Sequence, residues 1–198
     1  MRYLLYGGFL AAMGSSLEAR SQVSSGGARI EILNADRWDH DATMANGAQR
    51  LIGHVRFKHE NATMHCDSAY LFADQTMQAF GNVGIDQADS LRITGNRLDY
   101  SSKDRVAIIT GNVHLNDPSM ELVTDALSYG LRERTARYSS GATITSHREH
   151  NTLTSRQGAY LANGRRFIFS DQVHLQHPDR TIDSDTLHYV TTNGVAEF

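Results

Sequence analysis

Residues 77–85 read Met-Gln-Ala-Phe-Gly-Asn-Val-Gly-Ile, and this stretch decides the fold because its pattern returns at a fixed interval. Its centre, Gly81-Asn82-Val83, recurs three times at thirty-residue steps and once twenty-eight residues upstream: Gly111-Asn112-Val113, Gly141-Ala142-Thr143, Asp171-Gln172-Val173 and Gly53-His54-Val55. Self-similarity with a period of about 20–50 residues indicates a repeat architecture. The sequence therefore predicts a chain built from stacked copies of one unit.

A second marker keeps the same period. Tyrosines follow one another at spacings of 30, 29, 31 and 29 residues, at Tyr70, Tyr100, Tyr129, Tyr160 and Tyr189. Two different residue types that hold one interval over five units make a chance match improbable. The repeat is the strongest signal in the sequence.

Within each unit, apolar residues alternate around the glycine, as in Met77, Ala79, Val83 and Ile85. A period of two predicts a strand with one buried face, since a helix needs spacings of three and four. The unit at 137–145 fits less well, which suggests a parity shift by a bulge. A second strand runs up to each tyrosine, and its inward residues lie two and seven positions before the tyrosine, so this strand is expected to bend midway.

Polar turn residues separate these strands, and Asn163-Gly164 and Asn193-Gly194 predict tight type I′ hairpins. A lone two-stranded unit cannot bury its apolar face. Stacking several units gives a continuous apolar seam, as in a solenoid or an elongated sandwich. The expected fold is all-β, with antiparallel strands from repeats of about thirty residues.

The N-terminus predicts secretion. Arg2 is followed by the uncharged run Tyr3 to Met13, and Ala19-Arg20-Ser21 places small residues at the −3 and −1 positions of a signal peptidase site. We interpret residues 1–21 as a signal peptide and residues 22–198 as one domain. The alternative is an N-terminal helix or strand that remains in the fold.

Composition excludes several classes of protein. The 198 residues carry a formal net charge of −3, which argues against a general nucleic-acid binder. One cysteine, Cys66, rules out an internal disulfide framework and a multi-cysteine zinc site. We expect Cys66 to be a buried thiol, because it shares the parity of Met64.

The recurring cadence resembles the OstA/LptA family. Gly-Asn-Val is followed by Asp or Asn four residues before a tyrosine in the runs 96–100, 125–129 and 185–189, and Asp67 stands three residues before Tyr70. The resemblance covers about residues 28–198, with departures at Asp171 and in the run 155–160. It implies an elongated, open β-jelly roll that holds lipopolysaccharide acyl chains in a groove between two sheets. It also implies a periplasmic location, either free or associated with the outer membrane, and a place in a protein bridge used in outer-membrane assembly.

The inward rows are the candidates for such a lipid groove. An acyl chain needs a long apolar trough, since each buried methylene contributes only about 0.8 kcal/mol. The candidate groove residues are Leu51, Val55, Phe57, Met77, Val83, Ile85, Ile109, Val113, Leu115, Phe167, Phe169, Val173 and Leu175. The same alternation also serves a closed core, and the sequence leaves both open.

Arginines in the turns are candidates for contact with the phosphates of lipid A, because the planar guanidinium matches phosphate geometry. These residues are Arg105, Arg132, Arg134, Arg165 and Arg166. The alternative is that they are solvated turn charges. The expected partners are lipopolysaccharide, other jelly-roll transport proteins met through edge strands, and further copies of this chain joined head to tail.

An enzyme is not expected. His147/His150 and His174/His177 are spaced by three, which divides them between the two faces of a strand. Neither a Gly-x-Ser-x-Gly elbow nor a phosphate-binding glycine loop occurs, and we predict no cofactor, no metal site and no catalytic residue. The alternatives are a secreted β-solenoid that binds or cleaves polysaccharide, which should show an outer aromatic or acidic row, and a filamentous structural protein. Residues 195–198 match residues 77–80, so the chain either continues in a longer protein or offers an edge strand to a partner.

Overall fold

The computed structural model describes residues 29–40, 47–87, 91–148, 150–161, 166–190 and 195–197. The predicted signal peptide and both predicted Asn-Gly hairpins lie outside these ranges. The described residues form fifteen β-strands, which confirms the all-β fold that the repeat pattern predicted. The strands are β1 (Glu31–Asn34), β2 (Arg37–His40), β3 (Gln49–His59), β4 (Ala62–Leu71), β5 (Thr76–Gln87), β6 (Leu91–Ser101), β7 (Val106–Asn116), β8 (Met120–Gly130), β9 (Thr135–Tyr138), β10 (Ala142–Ser146), β11 (Thr152–Ser155), β12 (Gln157–Leu161), β13 (Arg166–His177), β14 (Arg180–Val190) and β15 (Val195–Glu197). In these ranges no helix is long and apolar enough to cross a bilayer.

The strands make one antiparallel sheet in which each long strand pairs with the next along the chain, from β3 through to β8. Beyond β8 the long strands are broken into halves. β8 pairs through its first half with β10 and through its second half with β9, and β13 is shared in the same way between β11 and β12. The broken strands show that each strand has two halves that belong to different parts of the sheet.

A β-bulge separates the two halves of each glycine-bearing strand. In β5 the register skips between Phe80 and Val83, where Gly81 (φ +72°) and Asn82 (φ +44°) both adopt the left-handed conformation. Gly81 is required there for a second reason. A Cβ on Gly81 would collide with the carboxylate of Asp67, which accepts a hydrogen bond of 2.8 Å from Asn82 Nδ2. The recurring glycine and the recurring acid or amide are therefore two sides of one contact.

The sheet folds back on itself at the bulges. Tyr100 in β6 and His59 in β3 are three strands apart, which is about 14 Å across a flat sheet. Their side chains nevertheless share a hydrogen bond of 2.5 Å. The sheet is thus creased into two layers, which we call the tyrosine layer (the half-strands that carry Tyr100 and Tyr129) and the opposite layer (the other halves).

A continuous apolar core fills the space between the two layers. It extends from Ile30 to Leu187 and contains every apolar residue that the structure buries except Ala48. The second strand of each unit breaks its alternation as predicted: in β6, Ile93 and Leu98 are both buried although five positions separate them. This two-layered, elongated arrangement confirms the predicted jelly roll.

Two of the repeat markers, Tyr70 and Gly141, are displaced by one residue from the structurally equivalent positions in the other repeats. The prediction that they are equivalent to the other tyrosines and glycines was therefore wrong by one residue at each. Leu71, not Tyr70, pairs with Met77 in the inward position that Tyr100 holds, and Tyr70 faces outward. In the fourth unit Ala142 is opposite Thr124, as is Val113, so Gly141 corresponds to Asn112 and not to Gly111. The weak alternation at 137–145 follows from this shift, and Tyr138, Ala142 and Ile144 are the buried residues.

Candidate functional site

The candidate groove residues lie between the two layers. Twelve of the thirteen are buried, with exposed fractions of 0–5%, and Leu175 is half-buried against them. Each row crosses a bulge, so Met77 belongs to the tyrosine layer while Val83 and Ile85 belong to the opposite layer. Together the rows supply both walls of one apolar interior. In this structure the interior is filled by side chains, which is the closed arrangement that the alternation also allowed.

The interior changes in character towards the C-terminal strands. Tyr160 stacks on Phe167 with ring centroids 4.4 Å apart, and Phe167 stacks on Phe169 at 5.6 Å. Leu175 and Tyr189 are only partly buried beside them. The aliphatic core of the earlier repeats thus gives way to an aromatic stack with less cover.

The side of the sandwich away from the bulges is closed by hydrogen bonds between the layers. The Tyr129 hydroxyl donates to Gln87 Oε1 at 2.5 Å, and Gln87 Nε2 donates to the carbonyl of Leu131 at 2.8 Å. Gln87 is only 1% exposed, and burial raises the pKa of Tyr129 to about 12. The repeated in-frame tyrosines therefore tie each layer to the other.

Two further contacts continue this line, which we call the seam. Arg105 donates from Nε (2.8 Å) and Nη2 (2.7 Å) to Glu60 Oε1, and this contact lowers the pKa of Glu60. Tyr160 donates to Asp117 Oδ2 at 3.2 Å. The contacts of the seam are Tyr100–His59, Arg105–Glu60, Tyr129–Gln87 and Tyr160–Asp117, and their partners are 41 to 45 residues apart in sequence.

The predicted phosphate-contact arginines lie along this seam. Arg105 is in the turn between β6 and β7 and is bound to Glu60. Arg132 and Arg134 are in the next such turn, where Arg132 is exposed and Arg134 is half-buried near Tyr129 and Tyr160. Arg166 opens β13 and is exposed, whereas Arg165 lies outside the described residues.

Arg134 occupies the position that Arg105 has one repeat earlier, and both have positive φ angles, of +52° and +56°. Among the described residues, Nε of Arg134 is buried and has no hydrogen-bond partner. The residue 45 positions before Arg134, where Glu60 stands relative to Arg105, is Asp89. Asp89 lies outside the described residues.

The opposite edge, at the bulges, is polar. A shallow hollow there is lined by residues that include Asn112, Asp125, Arg156 and Gln172, and Arg156 Nε donates to Gln172 Oε1 at 3.1 Å. Every long strand passes through this crease without a break in the backbone. The two layers are therefore continuous through the backbone at the bulge edge, whereas at the seam every hydrogen bond described between them involves a side chain.

The outer face carries two aromatic rings that arginine side chains cover. Tyr70 and Phe80 pack edge to face with centroids 6.3 Å apart, and Arg50 and Arg97 lie over the rings at 6.0 and 5.3 Å. Both rings are half-buried beneath these guanidinium groups. These two covered rings do not make an open aromatic row, which is one of the two features, aromatic or acidic, that the polysaccharide alternative predicted, whereas Trp38 in β2 is 56% exposed.

The structure separates the histidine pairs that the sequence raised. His174 Nδ1 lies 2.7 Å from Asp183, whereas His177 Nδ1 lies 3.7 Å from Asp179. Within the described ranges no three His, Cys, Asp or Glu side chains converge as metal ligands. Cys66 is 5% exposed and its pKa is raised to about 12 by desolvation, which confirms the predicted buried thiol.

Sequence reasoning missed the seam. The tyrosines were recognised as markers, but their partners stand about 1.4 repeats upstream, and a search at multiples of the repeat does not find them. The sequence does contain a signal for these contacts, because a polar residue stands 41–43 positions before Tyr100, Tyr129 and Tyr160. The same interval before Tyr189 reaches His147.

Comparison with known proteins gives a family and a fold. Residues 27–185 match the family described as OstA-like protein. The solved structure of LptH from Pseudomonas aeruginosa, described as the LptA-homologous periplasmic component of the conserved lipopolysaccharide transport device, is similar with a TM-score of 0.51 at 14% identity. The match covers 54% of this chain and 80% of that one. No curated protein gives a significant match.

Proposed function

The chain belongs to the OstA-like protein family, and we propose that it is a periplasmic carrier of lipopolysaccharide or a similar amphiphile. The observation that carries the proposal is the single apolar interior between two layers, which runs through every repeat. Such an interior matches the chemistry of acyl chains, since burial of many methylenes together supplies the affinity. The fold shared with the periplasmic lipopolysaccharide transport component LptH supports the same assignment.

The proposal includes transfer along a bridge of similar domains. Residues 181–186 of β14 pair only with β13 within the described chain, because β15 covers no more than residues 188–190. An open strand edge can accept a strand from another protein. Its partners would be jelly-roll transport proteins at the inner and outer membranes or another copy of this chain. The predicted signal peptide at residues 1–21 would supply the periplasmic location.

Site-specific photo-crosslinking tests the carrier function. Benzoylphenylalanine placed at Phe169 keeps an aromatic side chain on the inner wall, and the same group at Ile108 is a matched control, because Ile108 is apolar but faces outward and is 48% exposed. With lipopolysaccharide added to the folded full chain, we expect lipid adducts at position 169 and not at position 108. Adducts at position 108 alone, or none at either position, would overturn the proposal.

A further inference from the structure

One position in the line of bulges lacks a side chain. In the other repeats the second residue of the bulge is polar and has a positive φ, and these residues are His54, Asn82, Asn112 and Gln172. In the fourth repeat this position is held by Gly141, with a φ of +84°. A Cβ on Gly141 would meet nothing nearer than the carbonyl oxygen of Ser155, at 3.9 Å. The hollow at the bulge edge, of about 450 Å³, therefore opens where this side chain is missing.

Two opposite charges flank Gly141. The strand pairings of Ala142 place residue 141 between Asp125 in β8 and Arg156 after β11, and the Gly141 amide donates to the Arg156 carbonyl at 2.9 Å. Neighbouring strands are about 4.8 Å apart, so the backbones of the two charged residues are roughly 10 Å from each other. Both residues line the hollow. A ligand in the hollow thus meets an acceptor on one side and a donor on the other.

The adjoining repeats show which group satisfies each side. Asp67, the counterpart of Asp125, accepts a hydrogen bond of 2.8 Å from the amide of Asn82. Arg156 donates from Nε to the amide oxygen of Gln172 at 3.1 Å, and its terminal N–H groups can donate to a ligand. Arg156 would repel an ammonium group and Asp125 a carboxylate, whereas a neutral amide can donate to one and accept from the other. The N–H and C=O of a trans secondary amide point in opposite directions, as this site requires.

The rest of the lining matches a sugar. Thr143 and Thr154 are paired directly across β10 and β11 and both line the hollow, as does the amide of Asn112. Hydroxyl and amide groups both donate and accept hydrogen bonds, and so they can pair with the hydroxyls of a sugar ring. Val123, which is 36% exposed, gives the hollow an apolar surface for a methyl group. Ring hydroxyls, a neutral secondary amide and a methyl group occur together in a sugar with an acetamido substituent.

We propose that the hollow at Gly141 binds an N-acetylated amino sugar. The acetamido N–H donates to Asp125, the acetamido oxygen accepts from Arg156, the methyl group contacts Val123, and the ring hydroxyls bind the two threonines. The site lies at the bulge edge, away from the seam, and the inference goes beyond the carrier function without depending on it. It also accounts for a glycine at the position where the other repeats carry a polar side chain.

Two disaccharides test the class of ligand. N,N′-Diacetylchitobiose carries acetamido groups where cellobiose carries hydroxyls. In titrations of the folded full chain followed by NMR chemical shifts, we expect saturable binding of diacetylchitobiose and about tenfold weaker binding of cellobiose, which lacks the amide that pairs with both charged groups. Equal binding of the two sugars, or no binding of diacetylchitobiose, would overturn the proposal. Tighter binding of acetyl-alanyl-alanine amide, which supplies secondary amides without a sugar, would overturn the sugar in favour of a peptide.

The substitution Gly141→Asn fills the hollow from within. Asn82 and Asn112 adopt a positive φ at the same position of their repeats, and asparagine tolerates this conformation. The new amide should bind Asp125 as Asn82 binds Asp67, so we expect the affinity for diacetylchitobiose to fall at least about tenfold. Lipid adducts at position 169 should be the same with and without Gly141→Asn. Loss of those adducts would contradict the independence of the two sites.

Asp125→Ala covers the case in which Gly141→Asn does not fold, because Asp125 is exposed. Asp67→Ala is the matched control, since it removes the same charge from the same position two repeats earlier, outside the hollow. The affinity for diacetylchitobiose should fall about tenfold in Asp125→Ala and stay unchanged in Asp67→Ala. Equal affinity in both variants would show that the sugar does not bind at Gly141.

Discussion

The bulge at Gly111 gives the sharpest test of how the sheet is creased. Gly111 has a φ of +79°, and a Cβ there would lie 2.8 Å from Nδ2 and 3.0 Å from Cβ of Asn96. Gly111→Ala therefore carries two costs. The left-handed conformation costs about 1–2 kcal/mol for a residue with a Cβ, and displacement of the exposed Asn96 side chain adds about 1 kcal/mol, the low end for overpacking. We expect a total loss of about 2–3 kcal/mol in the free energy of unfolding.

Gly130→Ala is the matched control. Gly130 lies in the same pair of strands but has no positive φ, and its new Cβ would meet the flexible end of Glu133 at 3.2 Å and, at an ordinary contact distance of 3.9 Å, the carbonyl oxygen of Thr135. Replacement of glycine at such a position is expected to be neutral or to stabilise by about 0.4–1 kcal/mol. The assay is urea denaturation at 25 °C, with comparison restricted to variants whose m-value is unchanged.

The two costs at Gly111 are separated by adding Asn96→Ala. The second substitution removes the amide that lies 2.8 Å away but leaves the Cβ of residue 96, at 3.0 Å, and the φ of +79° in place, so it should recover only part of the steric cost. If Gly111→Ala is no less stable than Gly130→Ala, then the bulge is not held by the left-handed glycine and the reasoning is wrong. Full recovery by Asn96→Ala would show that close approach alone requires the glycine.

Two further predictions concern single side chains. Cys66 should resist Ellman's reagent in the native protein and react fully in urea, because the thiolate is the reactive form and the pKa is raised to about 12; rapid stoichiometric labelling of the native chain would contradict its burial. His54 Nδ1 lies 2.7 Å from Asp36, and this hydrogen bond raises the pKa of His54 above its usual 6.5. The contact therefore stabilises the fold fully below pH 6.5 and is lost as the pH rises through the folded-state pKa. NMR titration should show a raised midpoint that Asp36→Asn removes, and an unshifted His54 in the parent chain would refute it.

Local regularity made most of the fold predictable from the sequence. Apolar residues repeat with a period of two within the strands, because side chains alternate between the two faces of a strand. The period near thirty between strands follows from repeated burial of the same unit. Both periods can be read directly from the residue types in the sequence. The recurrence of glycine follows from the positive φ at the bulges, which glycine adopts without strain. The apolar rows likewise identified the interior, because the inward position is apolar in every unit.

The errors arose where equivalent positions of two repeats in the fold carry different residue types. Leu71 replaces tyrosine at an inward position while Tyr70 beside it faces out, so matching tyrosines placed the first unit one residue out of frame. Gly141 occupies the position that follows the glycine in the other repeats. This shift of one residue keeps the pattern of buried positions but changes the residue type found at each of them. The seam was not predictable from one strand pair, because its contacts join layers that meet only after the sheet has folded, between residues more than 40 positions apart.

The crease at the bulges also has a consequence for how such a chain can change in length. Every long strand contributes one segment to each layer, so an added pair of strands adds two segments to both layers. With strands about 4.8 Å apart, each added pair lengthens the interior by roughly 10 Å. Duplication of one thirty-residue segment of a gene can therefore extend the reach of the protein in a single step, while the width of its interior and the chemistry of its rim are inherited unchanged.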